Sequence, residues 1–214
     1  MMIAASYSLF TEGYTFSEDM DTSDWSSGAR TAIGALLGLA FILLTKQLLD
    51  GHGDDLSIGG LDGTDAKRAL LIFFVMTLHS FSEGVGIGVS FGGTNGSELG
   101  VFISASLAVH NVPEGLAVAV AMIPKGTSMM SAALSAIISS LPQPIMAIPA
   151  YLFVNSFIPV LPVGLGFAGG AMAWVALFEL LFEAYEDTDL VTTACVSTVS
   201  LCTMLFFQGA IDLR

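Results

Sequence analysis

Charge is what this chain has least of. Only 12% of its 214 residues are Asp, Glu, Lys or Arg, about half the share in an ordinary soluble domain. Six of these are basic and nineteen acidic, for a net charge of −13, so there is no basic footprint for phosphates and nucleic acid is excluded as a partner. Cysteine is nearly absent as well. Cys195 and Cys202 stand seven apart in one apolar stretch, too far along a helix face for a mutual bridge, which excludes a disulfide scaffold. No GxxxxGK[ST] stretch and no HExxH occurs, so the chain carries neither a phosphate-cradling loop nor the common zinc-peptidase signature. The apolar opening Met1 to Ala5 has no positively charged region before it and does not read as a signal peptide.

Hydrophobic residues fill the chain instead, at 54%, with a mean hydropathy of +0.78. One water-facing globule would leave much of that surface exposed, so the surplus faces a lipid bilayer and disorder is excluded. With about 20 apolar residues per span, segments fall near 29–49, 69–91, 99–123, 129–154, 160–184 and 192–210. The expected fold is an all-α polytopic membrane bundle with about six spanning helices. Residues 1–28 read as the tail of a helix plus an acidic non-cytosolic loop, with Glu12, Glu18, Asp19, Asp21 and Asp24 among Ser, Thr and Gly. Residues 29–214 read as one transmembrane domain.

If the connections alternate sides, Lys46, Lys67, Arg68 and Lys125 share one side, against Arg30 and Arg214 on the other. The positive-inside bias then puts the loop 50–68 in the cytosol. His52, flanked by Asp50, Asp54 and Asp55, reads as part of that solvated loop, and Glu179 and Glu183 read as interfacial groups that reach water.

The ionisable residues deep in the apolar segments call for a reason, since each costs about 3 kcal/mol at a helix centre on insertion scales. The second segment contains His79-Ser80-Phe81-Ser82-Glu83-Gly84 and the third contains His110-Asn111-Val112-Pro113-Glu114-Gly115. In each, His and Glu are four apart and project from one helix face. A single such pair reads equally well as hydrogen-bonded packing. The duplication argues otherwise: both copies lie near the middle of their segments, and a short Gly-rich connection makes the helices antiparallel neighbours. Two carboxylates converging in low dielectric without a cation could not both stay ionised. His79, Glu83, His110 and Glu114 are therefore read as one metal-ligand set. Mixed imidazole and carboxylate donors suit zinc, with iron, manganese or cadmium as alternatives. Pro113, and Pro142 with Pro144, free helix carbonyls at membrane depth, which beside a ligand cluster suggests a permeation path.

These stretches, HSFSEGVGIGVSF (79–91) and HNVPEGLAVAVAMIPKG (110–126), followed by SSLPQPIMAIPA (139–150), resemble the ZIP family of divalent metal transporters. The resemblance implies an eight-helix fold in which the second and third segments are the fourth and fifth helices. It also implies that His79, Glu83, His110 and Glu114 are the primary metal ligands. Ser80 and Asn111 would stand where binuclear members build a second site, and Gln143 where many carry a Glu. An amide oxygen is a weaker ligand than a carboxylate, so one good site and a weak or empty second are expected. Six segments are two fewer than the family has, and Met1 to Ser6 resemble the tail of its second helix. The chain is thus expected to lack the first helix and most of the second.

The function expected is transport of a divalent metal, zinc foremost, toward the cytosol through a mid-membrane site. The chain is expected to be no enzyme, to need no cofactor beyond its metal cargo, and to be compatible with a homodimer. Two other readings stand beside it: an intramembrane zinc-dependent hydrolase, and a truncated, non-transporting regulatory form.

Overall fold

The computed structural model describes residues 2–16, 23–51, 57–58, 61–92 and 96–212, without the side chains at 2, 4, 5, 50, 51, 57, 58, 62, 64, 99, 106, 109, 110, 113 and 207–212. Helix α1 (Met2–Thr15) is followed by α2 (Ser27–Gly51), and a two-residue ribbon pairs β1 (Ser57–Ile58) with β2 (Leu61–Asp62) antiparallel. Then come α3 (Gly63–Gly92), α4 (Gly96–Met122) and a 3₁₀ turn (Ile123–Lys125) closed by Gly126 at φ 106°. Next are α5 (Met129–Ser140), α6 (Pro142–Leu152) and the short α7 (Val154–Phe157). The chain finishes with α8 (Leu161–Trp174), a π turn (Val175–Leu180), α9 (Leu181–Asp187) and α10 (Leu190–Asp212).

All six apolar segments are helical. Four stretches among the described residues are long and apolar enough to cross a membrane: Ser27–Leu49, Asp65–Gly92, Met129–Leu152 and Leu161–Asp187. Leu190–Phe206 is a shorter apolar helix, and α4 runs for 27 residues. Backbone groups in lipid must be satisfied within the segment, and the embedded hydroxyls follow the same rule. Thr31, Thr45, Thr77 and Thr203 each donate to the carbonyl four residues back. The prolines act where expected in the fourth segment, which divides at Leu141, with Pro142 opening α6.

Two boundaries differ from the sequence reading. Helix α1 continues through Thr11 to Thr15, which composition alone assigns to a loop. The reason is tertiary: Ser6 donates to the Gly169 carbonyl at 2.8 Å, and Gly13 packs so closely on Thr31 that a Cβ would collide with it. Helix α3 begins at Gly63, so Lys67 and Arg68 lie in its first turns rather than in the loop. His52 is outside the described residues.

Glycines set the closest contacts. A Cβ at Gly34 or Gly38 on α2 would strike the carbonyls of Val163 or Phe167 on α8, and one at Gly166 or Gly170 would strike those of Thr31 or Ala35. The same interlock joins α3 to α6, where Gly84 and Gly88 sit against the carbonyls of Gln143 and Ala147. Without a hydrophobic drive between helices in lipid, such backbone-to-backbone approach is a main source of association. The apolar core lies in two parts. One gathers Val75, Met76, Val118, Met122, Met172 and Val175, and the other Val85, Val89, Ala150, Ile158, Leu161 and Leu165. On α3 the boundary between them falls at His79 to Glu83.

Glu179 does not reach water as an interfacial group, whereas Glu183 remains partly exposed. Glu179 is 5% exposed and pairs with Lys46 on α2, and Glu183 pairs with Lys125 after α4. Cations from neighbouring helices meet both carboxylates.

Candidate metal centre

His79 and Glu83 stand one turn apart on α3, both within 4% exposure, because the i, i+4 spacing stacks them on one face. His79 Nε2 lies 3.1 Å from Glu83 Oε1. Glu114 comes from α4, and its Oε1 lies 2.5 Å from the same nitrogen. One ligand atom from each of the three residues falls within 4.8 Å of the others. Ligands of a tetrahedral zinc ion, bound at about 2.0–2.2 Å, stand about 3.4 Å apart, so the two carboxylate oxygens need to draw back only slightly from His79 Nε2 to admit one ion. The four-residue spacing puts His110 one turn before Glu114 on α4, but its side chain lies outside the described residues.

The other residues named from sequence occupy distinct places. Gln143 is buried at the start of α6, where the Gly84 contact draws α6 onto α3. Asn111 Nδ2 on α4 donates to Gln143 Oε1 at 2.7 Å. The two amides thus bond to each other. Ser80 is buried on α3, a step of about 100° round the helix from His79. Ser82 donates to the Gly164 carbonyl on α8 at 3.1 Å and to its own Leu78 carbonyl at 3.3 Å.

The donor set is suited to a cation. Glu83 Oε2 and Asn111 Oδ1 are buried acceptors with no hydrogen-bond partner among the described residues, an arrangement that costs about 1–3 kcal/mol per group unless something positive meets it. A single imidazole nitrogen between two carboxylate oxygens needs a proton or a metal ion there.

Sequence reasoning missed the ion pairs of Lys46, Arg68 and Lys125 with Glu179 and Glu183. A signal was present, since those cations and both carboxylates lie at segment ends on the same side of the bundle.

Comparison with known proteins identifies the family. The family model described as ZIP zinc transporter matches residues 58–211. An Arabidopsis thaliana protein described as a candidate zinc transporter is 40% identical over 204 residues, covering 95% of this chain and 31% of that protein. Zinc transporter GufA of Myxococcus xanthus is 36% identical over 161 residues, covering 75% of this chain and 63% of its own. Zinc transporter ZIPB of Bordetella bronchiseptica is 28% identical over 176 residues, covering 82% and 55%. The chain therefore spans about a third to under two thirds of the length of these relatives. The helical bundle, the buried His–Glu–Glu cluster between α3 and α4, and the family match over 58–211 lead to one conclusion: this is a multi-pass membrane protein that belongs to the ZIP zinc transporter family.

Proposed function

We propose that the protein carries a divalent metal cation, zinc in the first place, across the membrane toward the cytosol, with His79, Glu83, Glu114 and His110 as the transport-site ligands. The observation that carries this is the placement of Glu114 Oε1 and Glu83 Oε1 at 2.5 and 3.1 Å from His79 Nε2, from two helices, in a buried position. Two carboxylates offset the charge of one divalent ion, which makes a buried ion affordable in low dielectric. The imidazole biases the site away from calcium and magnesium, which prefer all-oxygen shells. His110 would complete four-coordination from the facing turn of α4.

Binding requires a neutral imidazole and ionised carboxylates, so metal entry releases any proton held at the cluster. The Asn111–Gln143 hydrogen bond supports one metal rather than two. Each amide engages the other, and neither carries the negative charge that a second dication needs.

The direct test is zinc uptake into proteoliposomes by the protein carrying this chain, against Glu114→Ala and His79→Ala. Loss of flux in both variants, with folding retained, supports the reading. Flux equal to the parent's in either would overturn the assignment of these ligands.

A further inference from the structure

The chain has six basic residues in all, and three of them meet at one spot. Lys46 near the end of α2, Arg68 in the first turns of α3 and Lys125 at the end of the 3₁₀ turn after α4 converge on Glu179 and Glu183. Lys46 pairs with Glu179 and Lys125 with Glu183. Arg68 reaches both carboxylates, with Nη1 at 3.2 Å from Glu183 Oε1 and Nε at 3.9 Å from Glu179 Oε2. Asp65, one turn of α3 before Arg68, takes Lys125 as well at 2.9 Å. Three cations thus face three carboxylates, and the network is neutral. Glu179, at 7% side-chain exposure, is the deepest member.

Its position in the bundle matters more than its strength. From Arg68 to His79 on α3 is 11 residues, and from Glu114 to Lys125 is 11 along α4 and its 3₁₀ turn. At 1.5 Å per residue both paths are about 16 Å, so the network lies one bundle half away from the His–Glu–Glu cluster. Val75, Met76, Val118, Met122, Met172 and Val175 fill the interval. A metal ion leaving toward this end would meet a buried apolar plug and then a layer of ion pairs.

The pairs also add ionic contacts between helices whose closest backbone interlocks are with other partners. α3 interlocks with α6 through Gly84 and Gly88, and α2 with α8 through Gly34, Gly38, Gly166 and Gly170. Lys46–Glu179 lies within the second group. Arg68–Glu179, Arg68–Glu183 and Lys125–Glu183 cross from the first group to the helix that continues α8. In a protein this poor in charge, placing half of all cations there is a costly use of side chains unless the contact does something packing cannot. An apolar contact is worth much the same after a small slide, whereas these partly buried ion pairs depend on direction and distance and weaken once the groups part.

We propose that Arg68 and Lys125, with Glu179 and Glu183, form an ionic lock that holds the metal-bearing helices α3 and α4 against the α8–α9 helix and closes the bundle at the end carrying the α2–α3 connection. Release of the metal through that end requires the lock to break. This rests on the transport reading above, and the two are tested separately.

The test uses the protein carrying this chain with Cys195→Ser and Cys202→Ser, and Val118→Cys to place a thiol in the apolar plug. A membrane-impermeant maleimide is applied from each side of reconstituted vesicles in turn. With the lock intact, labelling is slow. Lys125→Met and Arg68→Met are each expected to raise the rate from the lock side roughly tenfold, while Lys125→Arg keeps it at the parental value. Rates within twofold of the parent in both methionine variants overturn the lock.

A second measurement guards against misfolded variants. On the cysteine-free background, Lys125→Cys with Glu183→Cys is bridged by a bifunctional thiosulfonate. Zinc flux that stops on bridging and returns on reduction supports the lock, and undiminished flux overturns it. Flux that survives Glu114→Ala overturns the ligand assignment instead, and the labelling rates, which need no metal, still decide the lock.

Discussion

Glu114 Oε1 on α4 lies nearer to His79 Nε2 on α3, at 2.5 Å, than does Glu83 Oε1 from the same helix, at 3.1 Å. The cluster is therefore assembled across a helix interface rather than along one helix. Its hold on a metal depends on how far apart α3 and α4 stand. A modest change in that spacing releases one carboxylate while leaving the His79–Glu83 pair in place.

Removing the cross-helix ligand should be the more damaging change. Glu114→Gln is expected to weaken zinc binding by roughly a hundredfold, on the scale of losing a charged ligand, and Glu83→Gln by less. Equilibrium dialysis of purified protein against zinc measures both. A Glu83→Gln effect larger than that of Glu114→Gln would contradict the geometry.

The amide pair gives a gain-of-function prediction. Asn111 Nδ2 donates to Gln143 Oε1 at 2.7 Å, and a carboxylate at 143 could accept the same bond while adding a charge. Gln143→Glu is expected to raise the stoichiometry from one zinc per chain to two, read by calorimetric titration. A variant that still binds one ion would show that the amide is not what keeps a second site empty.

Close packing by glycine predicts a sharp contrast within one residue type. Gly38→Ala drives a methyl group into the Phe167 carbonyl, whereas Gly86→Ala meets open space. The first should lower stability by about 1–3 kcal/mol through overpacking. The second should leave it unchanged or raise it by up to about 1 kcal/mol through helix propensity. Thermal unfolding in detergent compares the two directly.

How far the sequence discloses all this depends on the range of the interaction. The apolar segments, the break at Pro142 and the facing of His79 with Glu83 follow from local periodicity, and each is found where the residues indicate. The union of Glu114 with His79 follows from the duplicated motif and the short connection between the two helices. The extension of α1 to Thr15 was not legible, because the hydrogen bond from Ser6 and the Gly13 contact both come from partners far along the chain. The burial of Glu179 escapes the sequence for a similar reason. Near the end of an apolar segment a carboxylate looks water-facing until the cations of other chain segments are placed around it.

The Lys125 ammonium yields a pH prediction. Burial lowers its pKa, but hydrogen bonds to Glu183 and Asp65 and their negative charge outweigh that and hold it above the ordinary lysine value of 10.5. A group whose pKa is raised on folding stabilises fully below its unfolded value, and that contribution fades as pH climbs through the folded one. Lys125→Met should therefore lower stability by about 1 kcal/mol, the scale of a partly exposed pair. The deficit should stay constant from about pH 6 to 9 and shrink only above about pH 10.5. Melting curves of parent and variant across that range give the difference, and a deficit that varies near neutral pH would point to another group.

The π turn at Val175–Leu180 holds one residue more than an α turn would. In helical phase, that extra residue rotates everything after it by about 100° relative to everything before. Ala171, Met172 and Val175 are phased to the apolar plug, while Glu183 is phased to Arg68 and Lys125. The π turn thus separates the part of this helix that packs on the apolar plug from the part that carries Glu183 to its cations. Deleting a single residue between 175 and 180 would leave the plug in register and swing Glu183 away from its cations.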